Sequence, residues 1–416
     1  MNNILTFAYE TLNKIYKEGA YLSQALPSFS SFLNGKDRAT LTRLVYGVVE
    51  KHEEFSVMLA RLCKKSPRPN IRTILRIGMY LIKYSDSYPD YAAVNECVEL
   101  TKTVKKEQAG FVNATLKNYI KEKDFLPQDK FERLSFTSNY PVWLIMQYFS
   151  DYGEQEALRL IGKKHKNTHI RLNQRITDKD FQSILTEKGK PTSHGYLVSS
   201  TEPFAPFILQ GKGTVMALDS LLICDVLCKD KATDDILDVC AGPGGKSVYL
   251  AEKNPEITVY AEDVHEHRVE LINKYARRMQ VENIKTKVWD GTQINKEYLD
   301  RFSYVLVDAP CSGVGVVASN PDILINRSAA SINELNDLQF TLLSNASLYV
   351  KKGGTLVYST CSNLKSENQE IVKKFLQTHD NYKPYPSQLM DDRHYKTFTN
   401  DDKGNDGFFV ARFIKE

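Results

Sequence analysis

Long apolar runs are missing from this sequence. No stretch approaches the ~18 consecutive apolar residues that a membrane-spanning helix needs. The opening segment, Met1-Asn-Asn-Ile-Leu-Thr-Phe-Ala-Tyr-Glu, has amides and an acid where a secretory leader would stay apolar. A cytoplasmic protein with no membrane partner is the expectation. Cysteine is scarce too: the seven in 416 residues are odd in number and scattered, which argues against a disulfide framework. Cys224 and Cys228 are near neighbours, but they share a helical face with Leu221 and Leu227. No second ligand pair of suitable spacing exists, so packing outweighs a metal and none is expected. Internal repeats and low-complexity tracts are absent.

The length exceeds what one core usually serves, so two or three domains are expected. Net charge is only +4, but it is unevenly spread. Residues 1–175 carry 27 Lys and Arg against 18 Asp and Glu, whereas residues 201–416 carry 25 against 30. A basic front half joined to an acidic back half fits a module that grips a polyanion attached to a catalytic one; an ordinary solvated basic surface would have the same composition.

Helical periodicity dominates the first ~130 residues. Leu5, Ala8, Leu12 and Ile15 recur at helical spacing, as do Leu41, Leu44, Val45 and Val48, then Ile71 to Ile82, then Val94, Cys97 and Val98. Breakers fall at Leu33-Asn-Gly, Ser66-Pro-Arg-Pro-Asn and Ser87-Tyr-Pro-Asp. This predicts an all-α bundle over residues 1–139. Residues 140–215 read as a small α+β linker subdomain. It holds a helix opened by Tyr140-Pro-Val-Trp, a basic stretch at Lys163-Lys-His-Lys, a strand from His169 to Asn173, a helix from Lys179 to Glu187 and a strand from Tyr196 to Ser199.

Residues 216–416 turn α/β. Strands are predicted at 235–240, 258–261, 285–289, 302–308 and 354–359, with helices at 269–279 and 335–348, and antiparallel edge strands near 382–385 and 407–413. Asp238-Val-Cys-Ala-Gly-Pro-Gly-Gly-Lys places Gly242, Gly244 and Gly245 between a strand and a helix, where backbone can approach a ligand closely. The spacing fits neither G-x-G-x-x-G nor a Walker A loop, which weakens nicotinamide and ATP readings. Asp263 ends the next strand, where an acid of a doubly wound sheet accepts ribose hydroxyls; its position favours it over Glu262. Asp290 follows the third strand and Asp308 ends the fourth. Each alone is an ordinary loop acid, but the series at successive strand ends is harder to dismiss.

Two cysteines end later apolar runs, Cys311 in Val307-Asp-Ala-Pro-Cys-Ser-Gly and Cys361 in Tyr358-Ser-Thr-Cys-Ser. A thiol pair at the edge where such sheets bind ligands suggests covalent chemistry on a weak electrophile. Spacing alone leaves open which sulfur attacks.

The glycine turn, Asp263, Asp290, Asp308-Ala-Pro-Cys-Ser and Ser359-Thr-Cys-Ser together resemble the RNA cytosine-C5 methyltransferases of the Sun family, which use S-adenosylmethionine. Arg38, Leu44-Val-Tyr-Gly, Tyr91-Ala-Ala-Val-Asn-Glu and Gly110-Phe-Val-Asn-Ala-Thr-Leu are similar to the NusB-like front domain of its small-subunit rRNA branch, and Asp406-Gly-Phe-Phe resembles the family's closing strand. The resemblance implies a multidomain chain: a NusB-like RNA-binding bundle, an RNA-contacting linker subdomain, and a doubly wound class I methyltransferase domain of Rossmann-like fold. It further implies Cys361 as nucleophile, Cys311 as the group that assists product release, and Asp308 and Lys246 at the reacting base. S-adenosylmethionine would be held by Cys240, Ala241, Gly242, Pro243, Gly244, Gly245, Lys246, Asp263, Asp290 and Asp308. Relatives often carry Gln-Asp where this chain has Leu218-Asp219, and basic residues near Asn320-Pro-Asp where it has Val317-Ala-Ser and Leu324. The expected partner is small-subunit rRNA and the expected state a monomer. A tRNA target, a non-catalytic RNA-binding protein of antitermination type and, more weakly, a nicotinamide oxidoreductase are the competing readings.

Overall fold

The computed structural model describes residues 3–86, 88–162, 167–398 and 406–416. Ser87 of the third predicted breaker and the basic Lys163-Lys-His-Lys stretch lie outside the described residues. The chain divides into two compact units, one of residues 1–162 with 320–328, the other of residues 163–319 with 329–416.

The first unit is helical. Its main helices span Asn3–Glu18, Gly35–Glu50, His52–Leu62, Pro69–Tyr84, Asp90–Lys105, Ala109–Glu122, Lys130–Ser138, Val142–Tyr152 and Glu154–Gly162. Local chemistry explains several boundaries. Asn34 accepts the Asp37 amide at 3.0 Å and so caps the second of these helices. Pro69 opens the fourth, where its missing N–H costs nothing. Asp129 caps two amides of the seventh, at Phe131 and Glu132. The predicted stripes face one core: Leu12, Ile15, Val45, Val48, Ile74, Leu75 and Cys97 are fully enclosed. The segment 320–328 belongs to this core's unit although it is distant in sequence; Asp322 is buried there and accepts the Leu22 amide at 2.9 Å.

The second unit begins with a four-stranded antiparallel sheet, β1 (Thr168–Leu172), β2 (Lys190–Thr192), β3 (Gly195–Val198) and β4 (Gly213–Val215), in the order β2-β3-β1-β4. Helix Lys179–Lys188 buries Phe181 and Leu185 against Ile170, Val198 and Phe204. Alternation along β1 sends Arg171 to the opposite face. There its guanidinium pairs in a two-pronged contact with Glu252, both bonds 2.8 Å, the side chains 1% and 0% exposed. Glu252 lies on helix Gly245–Lys253, so the fork ties the small sheet to the helix that follows the glycine turn.

The large sheet comprises β5 (Ile236–Asp238), β6 (Val259–Asp263), β7 (Ile284–Val288), β8 (Phe302–Asp308), β9 (Val350–Thr360), β10 (Tyr382–Pro384), β11 (Tyr395–Thr397) and β12 (Phe409–Lys415). Its order is β10-β12-β9-β8-β5-β6-β7, with β11 also on β12; β5 to β9 run parallel and the rest of the pairings are antiparallel. Period-two alternation divides the side chains between two cores. Leu306, Val357 and Val410 face helices Leu218–Leu227 and Gly245–Lys253, whereas Val305, Val307, Leu356, Tyr358 and Phe409 face helices Ala329–Ser347 and Gln369–Thr378. Each large side chain so buried contributes about 1.5–3 kcal/mol. One expectation is corrected: the strand near 407–413 is not at an edge. β12 lies between β9 and β10, because its alternating apolar residues, Phe409 to Phe413, are buried on both faces as an interior strand requires.

Candidate active site

The chain leaves β5 toward β6 and reaches β8, on the other side of β5, only after β7. Strand order therefore reverses between β5 and β8, which opens a crevice at their carboxyl ends, the usual ligand position in such sheets. The glycine turn follows β5, Cys311 follows β8 and Cys361 follows β9.

Within the turn, the Gly242 amide donates to Asp263 Oδ2 at 3.1 Å, and the Gly244 amide closes onto the Ala241 carbonyl at 2.7 Å. A Cβ on Gly242 would stand 2.5 Å from Asp263 Oδ2, and Gly244 holds φ at +107°, so both positions require glycine. Pro243 is exposed, and the Ala241 side chain packs against Ala261 and Ile272. Asp263 is 4% exposed; its other oxygen accepts the His265 amide at 3.0 Å, and Arg268 approaches at 3.8 Å. Glu262 faces the opposite side, beside Tyr298 and Lys287. Burial pushes its carboxyl up to about 7 against the pull of Lys287. Cys240 is half-buried, and burial followed by the Asp238, Asp263 and Asp308 carboxylates raises its thiol far above the ordinary range, which removes it as a nucleophile. Asp238 is enclosed beneath the turn and accepts the Ser247 hydroxyl at 2.5 Å; burial lifts it to about 7.

Lys246, at the start of the helix, reaches across to Asp308 at 2.6 Å and lies over the Phe408 ring at 5.4 Å. Burial alone would lower its ammonium, but the Asp308 carboxylate carries it above the usual lysine value. The other Asp308 oxygen accepts the Ser359 hydroxyl at 2.7 Å.

The two thiols meet. Cys311 Sγ and Cys361 Sγ are 3.1 Å apart, unbonded, and the Cys361 amide donates to Cys311 Sγ at 3.2 Å. The hydrogen bond with Cys361, then burial, raises the Cys311 thiol well above its ordinary value. Behind them lies a residue that sequence reasoning missed. Glu367 is fully enclosed and accepts from Ser312 N (2.8 Å), Ser312 Oγ (2.5 Å), Gln339 Nε2 (3.0 Å) and Ser362 Oγ. Its only signal is a charged residue in a short non-periodic segment soon after the second thiol. Asn368 beside it accepts from Thr360 Oγ1 at 2.6 Å and donates to the Ser362 carbonyl at 2.8 Å.

The predicted residues thus fall into three contacting groups: Gly242 with Asp263, Lys246 with Asp308, and Cys311 with Cys361. Asp290 joins none of them; it follows β7, exposed, and holds its own loop by accepting Thr292 N and Oγ1 at 2.9 and 2.7 Å. The donor set fits S-adenosylmethionine. Asp263 offers acceptor oxygens for ribose hydroxyls, Gly242, Gly244 and Gly245 carry no side chains to obstruct a close approach, and the acids along this edge suit a ligand bearing positive charge. Among the described residues no group of three or more His, Cys, Asp or Glu could hold a metal ion, and no helix is long and apolar enough to cross a membrane.

Comparison with known proteins finds matches over nearly the whole chain. The family of 16S rRNA methyltransferase RsmB/F matches residues 226–414, and the NusB family matches residues 2–121. The chain is 30% identical to the probable ribosomal RNA small subunit methyltransferase B of Bacillus subtilis, covering 100% of this chain and 99% of that one. It is 29% identical to ribosomal RNA small subunit methyltransferase B of Erwinia tasmaniensis, over 100% and 99%. Among solved structures, PH0851 superposes with a TM-score of 0.82 at 23% identity over 98% of this chain and 97% of that one. NSun6 from Pyrococcus horikoshii with SFG gives 0.58 at 18% identity over 67% and 99%. These likenesses share the fold. By its full-length similarity, the chain belongs to the ribosomal RNA small subunit methyltransferase B family.

Proposed function

We propose that this protein transfers a methyl group from S-adenosylmethionine to C5 of one cytidine in small-subunit rRNA, through a transient bond between Cys361 and C6. The observation that carries the reading is the 3.1 Å separation of Cys311 and Cys361 at the sheet edge that also holds the Lys246–Asp308 pair. Cytosine C5 is too weak a nucleophile unaided, and addition of a thiolate at C6 makes it an enamine carbon. S-adenosylmethionine, when bound, supplies an electrophilic methyl group on a sulfonium. The glycine turn and Asp263 would hold that cofactor, and Asp290 is assigned to it by the family resemblance. Cys361 adds to C6. Asp308, oriented by Lys246, meets the N3/N4 edge of the base. Cys311 serves as the acid/base group for release: after methyl transfer the C5 proton leaves, the Cys361–C6 bond breaks, and the Cys361 thiolate is regenerated.

The labour divides along the chain: residues 1–139 grip RNA, 140–215 contact it further, and 216–416 carry the chemistry. The target base must be unpaired or flipped, because stacking hides C6. The protein acts as a cytoplasmic monomer. Labelled methyl transfer to total RNA from cells lacking the gene, followed by bisulfite mapping, tests the reading. A modified cytosine in small-subunit rRNA supports it, and one confined to tRNA overturns the substrate. Calorimetry with S-adenosylmethionine separates it from a purely RNA-binding role, which predicts no saturable heat.

A further inference from the structure

Both thiols sit on turns that leave the sheet and have no regular structure of their own. Cys311 is followed by Ser312 and Cys361 by Ser362, and both serines bond to one carboxylate. Glu367 takes the Ser312 amide at 2.8 Å and the Gln339 amide at 3.0 Å on Oε1, and the Ser312 and Ser362 hydroxyls on Oε2. Four donors fill the four lone-pair positions of a carboxylate. The clasp is braced from both sides: Gln339 also donates to the Pro310 carbonyl at 3.0 Å, and the Tyr358 hydroxyl donates to the Glu367 carbonyl at 2.6 Å. Ser312 Oγ and Ser362 Oγ are 3.2 Å apart, so the two turns are joined one residue beyond each sulfur.

We propose that Glu367 is the positioning residue of the thiol pair: by bridging Ser312 and Ser362 it holds Cys311 and Cys361 at mutual contact. This rests on the reading of that pair as the reacting groups. The positioning acts through hydrogen bonds, since the four groups that meet the Glu367 carboxylate are all neutral donors; its charge also bears on the Cys311 thiol, which it helps to raise. A glutamine can serve in part. Its carbonyl keeps the two amide donors, and the serine hydroxyls can rotate to accept from its NH2 group, whereas alanine leaves all four donors with nothing between them.

The test measures thiol proximity as well as turnover. In a buffer of oxidised and reduced glutathione, the two protein thiols form one S–S bond while one oxidised glutathione is reduced to two thiols. The equilibrium constant, read by mass spectrometry of the linked peptides, reports how often the sulfurs meet in the folded protein. Glu367→Ala should lower that constant at least about tenfold and turnover about 100-fold, the scale of a ~1 Å misplacement, with S-adenosylmethionine affinity unchanged. Glu367→Gln should retain most of both, and Ser362→Ala, which removes one donor and carries the test if Glu367→Ala fails to fold, should show a smaller loss in both. Unchanged thiol pairing in Glu367→Ala, or a Gln variant as impaired as the Ala variant, overturns the proposal. Retained activity in Cys361→Ala would instead overturn the nucleophile, and the glutathione measurement would still decide the role of Glu367.

Discussion

Replacing Gly242 with alanine should weaken cofactor binding without unfolding the protein. The added Cβ would stand 2.5 Å from Asp263 Oδ2 and 2.8 Å from Arg268 Cβ. An unstrained C···O contact is about 3.3 Å, so the carboxylate must withdraw by about 0.8 Å. That displacement stretches the 3.1 Å bond from the Gly242 amide and shifts the oxygens offered to the ribose. Losing one hydrogen bond to a charged group costs about 1.5–3 kcal/mol, which corresponds to a rise in Kd of roughly 10- to 150-fold. Calorimetric titration of S-adenosylhomocysteine into the RNA-free protein measures it directly, with Asp263→Asn as the comparison and thermal unfolding as the check on folding. A Kd within about twofold of the parent in a folded Gly242→Ala protein would refute the assignment of this turn and this acid to the cofactor.

Cys361→Ala should abolish methyl transfer, whereas Cys311→Ala should slow release and accumulate a covalent protein–RNA complex visible on a denaturing gel. Arg171→Ala strands the enclosed Glu252 carboxylate and should cost about 3–5 kcal/mol in denaturant unfolding, while a well-packed apolar pair at both positions should cost far less. The buried Glu262 carboxyl, raised to about 7, binds its proton more tightly folded than unfolded. Its stabilising contribution is therefore complete below about pH 4 and lost as pH rises through 7, and Glu262→Gln should remove that part of the decline in Tm between pH 5 and 8. RNA affinity should fall with a steep negative slope on a log scale of salt concentration, as phosphate gripping by basic residues requires.

What the chain states in its own order is local. Helical spacing at Leu5 to Ile15 and Ile71 to Ile82, alternation through β8 and β9, and a glycine turn after an apolar strand depend on residues within a few positions of one another. Periodicity and turn chemistry therefore reveal them, and the motifs around Cys311 and Cys361 are legible for the same reason. Tertiary structure alone decided the rest. It brought two sulfurs fifty residues apart to 3.1 Å, placed Lys246 on Asp308, kept Asp290 to its own loop, and made β12 an interior strand. It also placed segment 320–328 within the helical unit. Glu367 is the clearest case. Its enclosure depends on donors from two distant parts of the chain, Ser312 and Gln339, as well as on nearby Ser362, and a charged residue in an irregular turn looks solvated until those partners are folded around it.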